Sequence, residues 1–201
     1  MSDVRFCDEL EWGFGWISPE KPKLRMTSHA LAADGRVWVV DPAPGDVDAR
    51  IRTLGQPAGV IQLLDRHERA CAEFATRLGV PHHRVPLGPV DGAPFETIEV
   101  VRRKRWSEVA LWWPQRRVLV TGDALATLPH FFALGGERVG MHPLLRLRPP
   151  HQLGRFEPEH LLCGHGEGVH DGAGDAIREA LANARRRLPR LLLELPRSSP
   201  A

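Results

Sequence analysis

Leu63–Pro81 reads LLDRHERACAEFATRLGVP. The apolar, β-branched run Val60-Ile61-Gln62-Leu63-Leu64 that leads into it is short and bounded, the pattern of a buried strand. Beyond it, Cys71, Phe74, Ala75 and Leu78 recur at three- and four-residue steps, which predicts an amphipathic helix. Between the two lies a polar junction, Asp65-Arg66-His67-Glu68-Arg69. It sits at a strand's C-terminal end and a helix's start, where α/β folds gather ligands because side chains and free N–H groups converge on one crevice.

Working outward, Arg25–Leu31 and Arg36–Val40 read as strands flanking Ala33-Asp34-Gly35, and Asp-Gly is a strong hairpin signal. Asp46–Leu54 predicts a short helix and Gly59–Leu64 the strand that enters the junction. Val80–Pro86 reads as the next strand; it carries His82 and His83, which alternation sends to opposite faces. In the second half Phe95–Val101 and Glu108–Trp113 are strand-like, and Pro114-Gln115-Arg116 turns into a strand over Arg117–Thr121 that ends in Gly122-Asp123. Residues 125–157 are rich in Pro and Gly and are expected to form a lid or binding region. His160–Gly166 reads as a short strand ending in a glycine-flanked histidine, and a helix is expected over Gly174–Leu188. Residues 1–24, with Trp12, Phe14 and Trp16 among Gly and Pro, read as an arm or edge strand. Residues 189–201 read as a tail, of which Leu191–Leu195 packs back on the core.

The chain has 201 residues, 42% hydrophobic and 26% charged, with a formal net charge of +2. That suits one soluble domain, here 25–188, with a sizeable core. The charge is too mild to point to nucleic acid. Three widely spaced cysteines, Cys7, Cys71 and Cys163, argue against a disulfide framework or a CxxC zinc site. No apolar run reaches the length of a membrane span and the start is no signal peptide, so a cytoplasmic protein without a membrane partner is expected.

Three segments in this order, VVDPAPG at 39–45, VLVTGDAL at 118–125 and LLCGHGEG at 161–168, together with the junction, resemble the metallo-β-lactamase fold family. The resemblance implies an α/β protein, an αβ/βα four-layer sandwich with its site at the shared edge of two halves. The family's strand ends in Thr-His-x-His-x-Asp-His. Carried over, its first histidine becomes Asp65, its second is His67, its aspartate becomes Arg69 and its last histidine becomes Ala70. The third downstream histidine falls near Lys104, within Arg102-Arg103-Lys104-Arg105. The metal-bridging aspartate and the final histidine are present as Asp123 and His165. One of the two metal positions thus keeps only Asp123 and His165, and Arg69 aims a fixed charge at it. Against a dication at ~4 Å and an effective dielectric of ~20, that repulsion is roughly 8 kcal/mol. The other position keeps Asp65, His67 and Asp123, an oxygen-rich set suited to at most one divalent ion, Mn, Fe or Zn.

Three functions are compatible with this reading. The first is a pseudo-enzyme without a dinuclear centre, in which Arg69 and Lys104 are the charge partners of the carboxylates and the cleft binds a small-molecule ligand or a protein. The second is a mononuclear metal-dependent hydrolase of a small, anionic substrate. The third is a metal-free phosphate or nucleic-acid binder that uses Arg102, Arg103 and Arg105 as an anion-binding rim. No catalytic residue is assigned. Plainer roles compete: Asp65 and Asp123 as turn caps, His67 as a solvated helix-start residue, and Cys163 as a small core residue. Of the insertion histidines His130, His142 and His151, one could replace a missing ligand, and nothing in the spacing selects it.

Overall fold

Asp34 and Gly35 both take the left-handed conformation, with φ of 50° and 73°. Two consecutive positive φ angles match the right-handed twist of the strands they join. They close a hairpin of β3 (Thr27–Ala33) and β4 (Arg36–Val40). The computed structural model describes residues 4–66 and 69–198. Around this hairpin a six-stranded sheet forms in chain order: β1 (Arg5–Leu10), β2 (Gly13–Ile17), β3, β4, β5 (Gln56–Gln62) and β6 (His82–Arg84). Its first four strands are antiparallel, and β5 and β6 add in parallel. The crossovers are α1 (Asp48–Leu54) and α2 (Cys71–Leu78). Residues 5–17 therefore hold the edge strand of the main sheet, β1, and its inner neighbour β2, every residue of which is buried.

The second sheet contains β7 (Glu96–Arg103), β8 (Trp106–Trp113), β9 (Val118–Thr121) and, parallel to β9, a strand over His160–Cys163. Between β9 and that strand lies the 125–157 segment. It holds a two-stranded ribbon, β10 (Leu125–Ala126) with β11 (Gly140–Met141), and two short 3-10 turns. We number the His160–Cys163 strand β12; it leads to α3 (Ala173–Asn183) and α4 (Leu188–Ser198). The tail segment is thus helical as far as Ser198. Glu194 anchors α4 on the insertion by accepting a hydrogen bond from the Gly135 N–H.

Alternate residues of each strand enter different cores. Val37 and Val39 pack with Trp16, Ile51 and Phe74 under α1 and α2, whereas Trp38 and Val40 face Val109, Leu111 and Val120 between the sheets. Leu119 and Leu161 instead join Ile177 and the insertion on the far side of the second sheet. Both faces of both sheets are covered, giving helix, sheet, sheet, helix layers. This explains why RVWVV, VLVT and HLLC read as unbroken apolar runs rather than alternating ones. All three cysteines are free and buried. Among the described residues no helix is long and apolar enough to cross a membrane.

Candidate functional site

The parallel pairing of β9 with β12 puts Cys163 opposite Thr121, so the Gly122-Asp123 and Gly164-His165 extensions leave the sheet side by side. Their backbones nearly touch: a Cβ on Gly164 would lie 2.7 Å from the Gly122 carbonyl oxygen. The side chains meet, His165 Nε2 lying 3.1 Å from Asp123 Oδ1, both almost fully buried. His165 Nδ1 is 2.7 Å from the Leu24 carbonyl, which can only accept. Nδ1 therefore carries a proton, and Nε2 is the atom turned toward the carboxylate, either as a second N–H or as a lone pair facing a cation. Phe132 stacks on the His165 ring at a centroid distance of 5.2 Å.

Arg69 enters from the junction after β5 with a left-handed backbone, φ 48°. Its Nη1 donates to the Thr27 carbonyl (2.5 Å) and the Asp41 carbonyl (3.0 Å), and its Nη2 to the Gly164 carbonyl (2.8 Å). The guanidinium thus binds main-chain oxygens at the start of β3, the end of β4 and the end of β12, so its hydrogen bonds do not end on the Asp123 carboxylate. Ala70 belongs to the apolar cluster of Trp16 and Phe74. Arg69, Asp123 and His165 line a cleft of about 420 Å³ walled by Leu24, Met26, Phe131 and Phe132. His142 lines it too, which singles it out from the three insertion histidines. His130 pairs with Glu194, and His151 is exposed on a 3-10 turn.

The other expected residues lie elsewhere. Asp65 Oδ1 accepts from the Ser107 N–H at 2.8 Å and lines a separate cavity of about 200 Å³ with Arg84, Arg102 and Glu108. Lys104 and Arg105 form the exposed two-residue turn between β7 and β8. Lys104 is thus not an inward partner of the carboxylates, because the tight β7–β8 pairing turns its side chain to solvent. Arg102 and Arg103 are exposed as well, and Arg102 pairs with Glu99. His67 lies outside the described residues. His82 and His83 sit on the edge strand β6, where His82 meets Gln62 at 3.1 Å.

One buried carboxyl group escaped the sequence reading. Glu108 is fully buried on β8, accepting from the Ala124 N–H (2.7 Å) and from Trp106 Nε1 (3.1 Å). Its carboxyl and that of Asp41 both come within 3.6 Å of the point a Cβ on Gly122 would occupy. Burial first, then the charge of Asp123, pushes its pKa up to about 8, so Glu108 is protonated at neutral pH. The available signal was a glutamate on the same strand face as Trp106 and Ala110, within an otherwise apolar stretch.

Solved structures share this fold. A crystal structure of the DIM-1 metallo-β-lactamase superposes with a TM-score of 0.68 at 17% identity, covering 92% of this chain and 98% of that one. The TMB-1 structure gives 0.65 at 12% identity, covering 92% and 99%. A metallo-β-lactamase from Pontibacter korlensis gives 0.61 at 13%, covering 90% and 100%. The chain has the metallo-β-lactamase fold. No protein-family profile matches the sequence, and no curated protein matches it.

Within this metallo-β-lactamase fold, the fit of a metal can be judged from the donors. A catalytic zinc takes three protein ligands and an open position. Asp123 and His165 converge, and Arg69 lies in the same cleft. Among the described residues no group of three or more histidine, cysteine or acidic side chains is arranged to hold a metal ion.

Proposed function

We propose that this protein is a metallo-β-lactamase-fold pseudo-enzyme, whose cleft binds a small molecule without hydrolysing it through a dinuclear centre. The observation that carries the reading is Arg69, whose guanidinium bonds to the Thr27, Asp41 and Gly164 carbonyls in the cleft beside Asp123 and His165. A fixed cation hydrogen-bonded to oxygens of both sheets supplies positive charge and cross-linking where the carboxylates gather. It cannot dissociate or activate water. The cleft's apolar wall of Leu24, Met26, Phe131 and Phe132, with Arg69 and His142 as polar anchors, suits a ligand with an apolar body and a polar or anionic group.

The test is elemental analysis of protein purified without a histidine tag, compared with Asp123→Asn. Less than one transition-metal equivalent sensitive to that substitution is expected. Two equivalents that Asp123→Asn removes would overturn the proposal. The second reading, a single metal ion in a mononuclear hydrolase, is favoured by one feature. The Leu24 carbonyl fixes the His165 proton on Nδ1 and so leaves Nε2 facing Asp123. In that case one equivalent of Mn, Fe or Zn would be retained, and a metal-dependent hydrolysis would be lost with Asp123→Asn.

A further inference from the structure

Asp8 lies outside the cleft, at the bulge of β1, with φ 49°. Its carboxylate is nearly inaccessible. Oδ2 meets His29 Nε2 at 3.2 Å, while Oδ1 accepts from the Gly168 N–H at 2.8 Å and meets His170 Nε2 at 2.9 Å. Burial opposes ionisation of Asp8, but the hydrogen bonds from His170 and His29 outweigh it and hold the carboxyl well below the usual range. An anionic carboxylate can only accept, so Nε2 of His170 carries a proton, and in the neutral ring Nδ1 presents a lone pair. That atom faces His160 Nδ1 at 3.0 Å.

The backbone holds the two rings together. Leu161 and Val169 exchange both their N–H···O bonds, at 2.9 and 2.8 Å, so His160 and His170 leave a closed two-stranded turn on adjacent positions. The His170 side chain is 34% exposed, and the pair opens to solvent. Burial and the facing His170 keep the His160 imidazole below the usual histidine range, opposed by the neighbouring Glu159.

We propose that His160 and His170 form a two-histidine chelate for a borderline divalent cation such as zinc or nickel, with Asp8 as the carboxylate that orients His170. With metal–nitrogen bonds of roughly 2.05 Å, a 3.0 Å separation corresponds to a cis angle of about 94°. Opening to ~3.3 Å reaches the tetrahedral angle. The carboxylate–histidine–metal order is the one that fixes tautomer and ring orientation at established metal sites. In the metal-free protein the His160 Nδ1 proton bridges the two rings. On binding it moves to His160 Nε2, so no net proton is released. Water completes the coordination sphere.

The test is calorimetric titration with zinc chloride of tag-free, chelator-dialysed protein carrying Asp123→Asn, which removes any cleft metal. A single zinc per chain is expected to bind, and His160→Gln or His170→Gln should each weaken it by at least tenfold. X-ray absorption of the zinc-loaded protein should show two imidazole ligands. If His170→Gln disturbs the fold, His160→Gln, whose ring makes no contact with Asp8, decides. Unchanged titrations in both variants, or no zinc binding up to millimolar concentration, would overturn the proposal. A cleft metal behaves in the opposite way, lost with Asp123→Asn and kept in His160→Gln, so this site and the pseudo-enzyme reading fail separately.

Discussion

Arg69 illustrates how many chain segments a single side chain can join. Its planar fork offers five donors in fixed geometry, and three of its hydrogen bonds reach carbonyls of buried residues on three different chain segments. Arg69→Ala would leave those oxygens with fewer donors and remove one of the ties between the sheets. A loss of about 3 kcal/mol or more is expected from denaturant titration, since hydrogen bonds to a charged group are each worth about 1.5–3 kcal/mol. Arg69→Lys should recover less than half, because an ammonium cannot reproduce the fork; full recovery would refute the clamp. Glu108 gives a pH signature. The folded protein keeps it protonated up to about 8, whereas an unfolded glutamate ionises near ~4.3. Between these values the folded state binds more protons. Its contribution is therefore complete below the unfolded value, falls as pH rises, and is gone above the folded one. Glu108→Gln cannot ionise. Urea midpoints of metal-free protein measured from pH 5 to 8 should fall for wild type and stay flatter for the variant, and parallel curves would exclude the assignment.

At the scale of elements, the 125–157 insertion shows why Pro- and Gly-rich sequence need not mean a loose lid. Leu125, Leu128, Phe132, Met141 and Leu145 are all core residues. At its centre Arg146, fully buried, donates to Glu137 at 2.7 Å and to the Phe132 carbonyl at 2.5 Å, and reaches the Ala184 carbonyl after α3. Removing one partner of a buried ion pair costs about 3–5 kcal/mol, because the other charge remains buried. Arg146→Met should therefore release the insertion, seen as faster limited proteolysis within 125–157, and should disorder the Phe131, Phe132 and His142 wall of the cleft. The double variant Arg146→Met, Glu137→Leu should regain most of that protection. If it is as protease-sensitive as the single variant, the ion pair is not what holds the segment.

For the molecule as a whole, the joint between the two sheets decides whether there is a cleft. Phe95 stands between Trp38 of one sheet and Trp113 of the other, edge to face with both, at 5.9 and 5.4 Å. Phe95→Ala should cost about 3–5 kcal/mol, the usual loss for a large aromatic in a core. It should lower the single urea transition without splitting it, since β3 also meets the end of β12 through the bond from the Thr27 N–H to the Gly164 carbonyl. Two separate transitions would mean that the sheets fold as independent units.

Much of this fold was legible because its signals are local. Asp34-Gly35 encodes its own turn. Cys71, Phe74, Ala75 and Leu78 encode one helix face, all buried as their spacing predicts. The unbroken apolar runs encode strands covered on both sides, and Gly122-Asp123 and Gly164-His165 mark the strand ends where polar groups meet. These local signals determined the elements; the layers and the edge at which the cleft lies were implied by the resemblance of three segments and the junction to the metallo-β-lactamase fold family. Neither determined the occupants of that edge. Asp65 went to a neighbouring cavity and Lys104 to solvent, while Glu108, hidden in a strand, lines that same cavity, buried where the charge of Asp123 still reaches it. Arg69 reaches an oxygen 95 residues away, and Asp8 reaches a histidine 162 residues away. Such contacts follow from the register of strands distant in the chain, and a one-residue difference in register turns a side chain to the opposite face. Spacing along the chain carries no record of that choice; only the assembled sheets decide it.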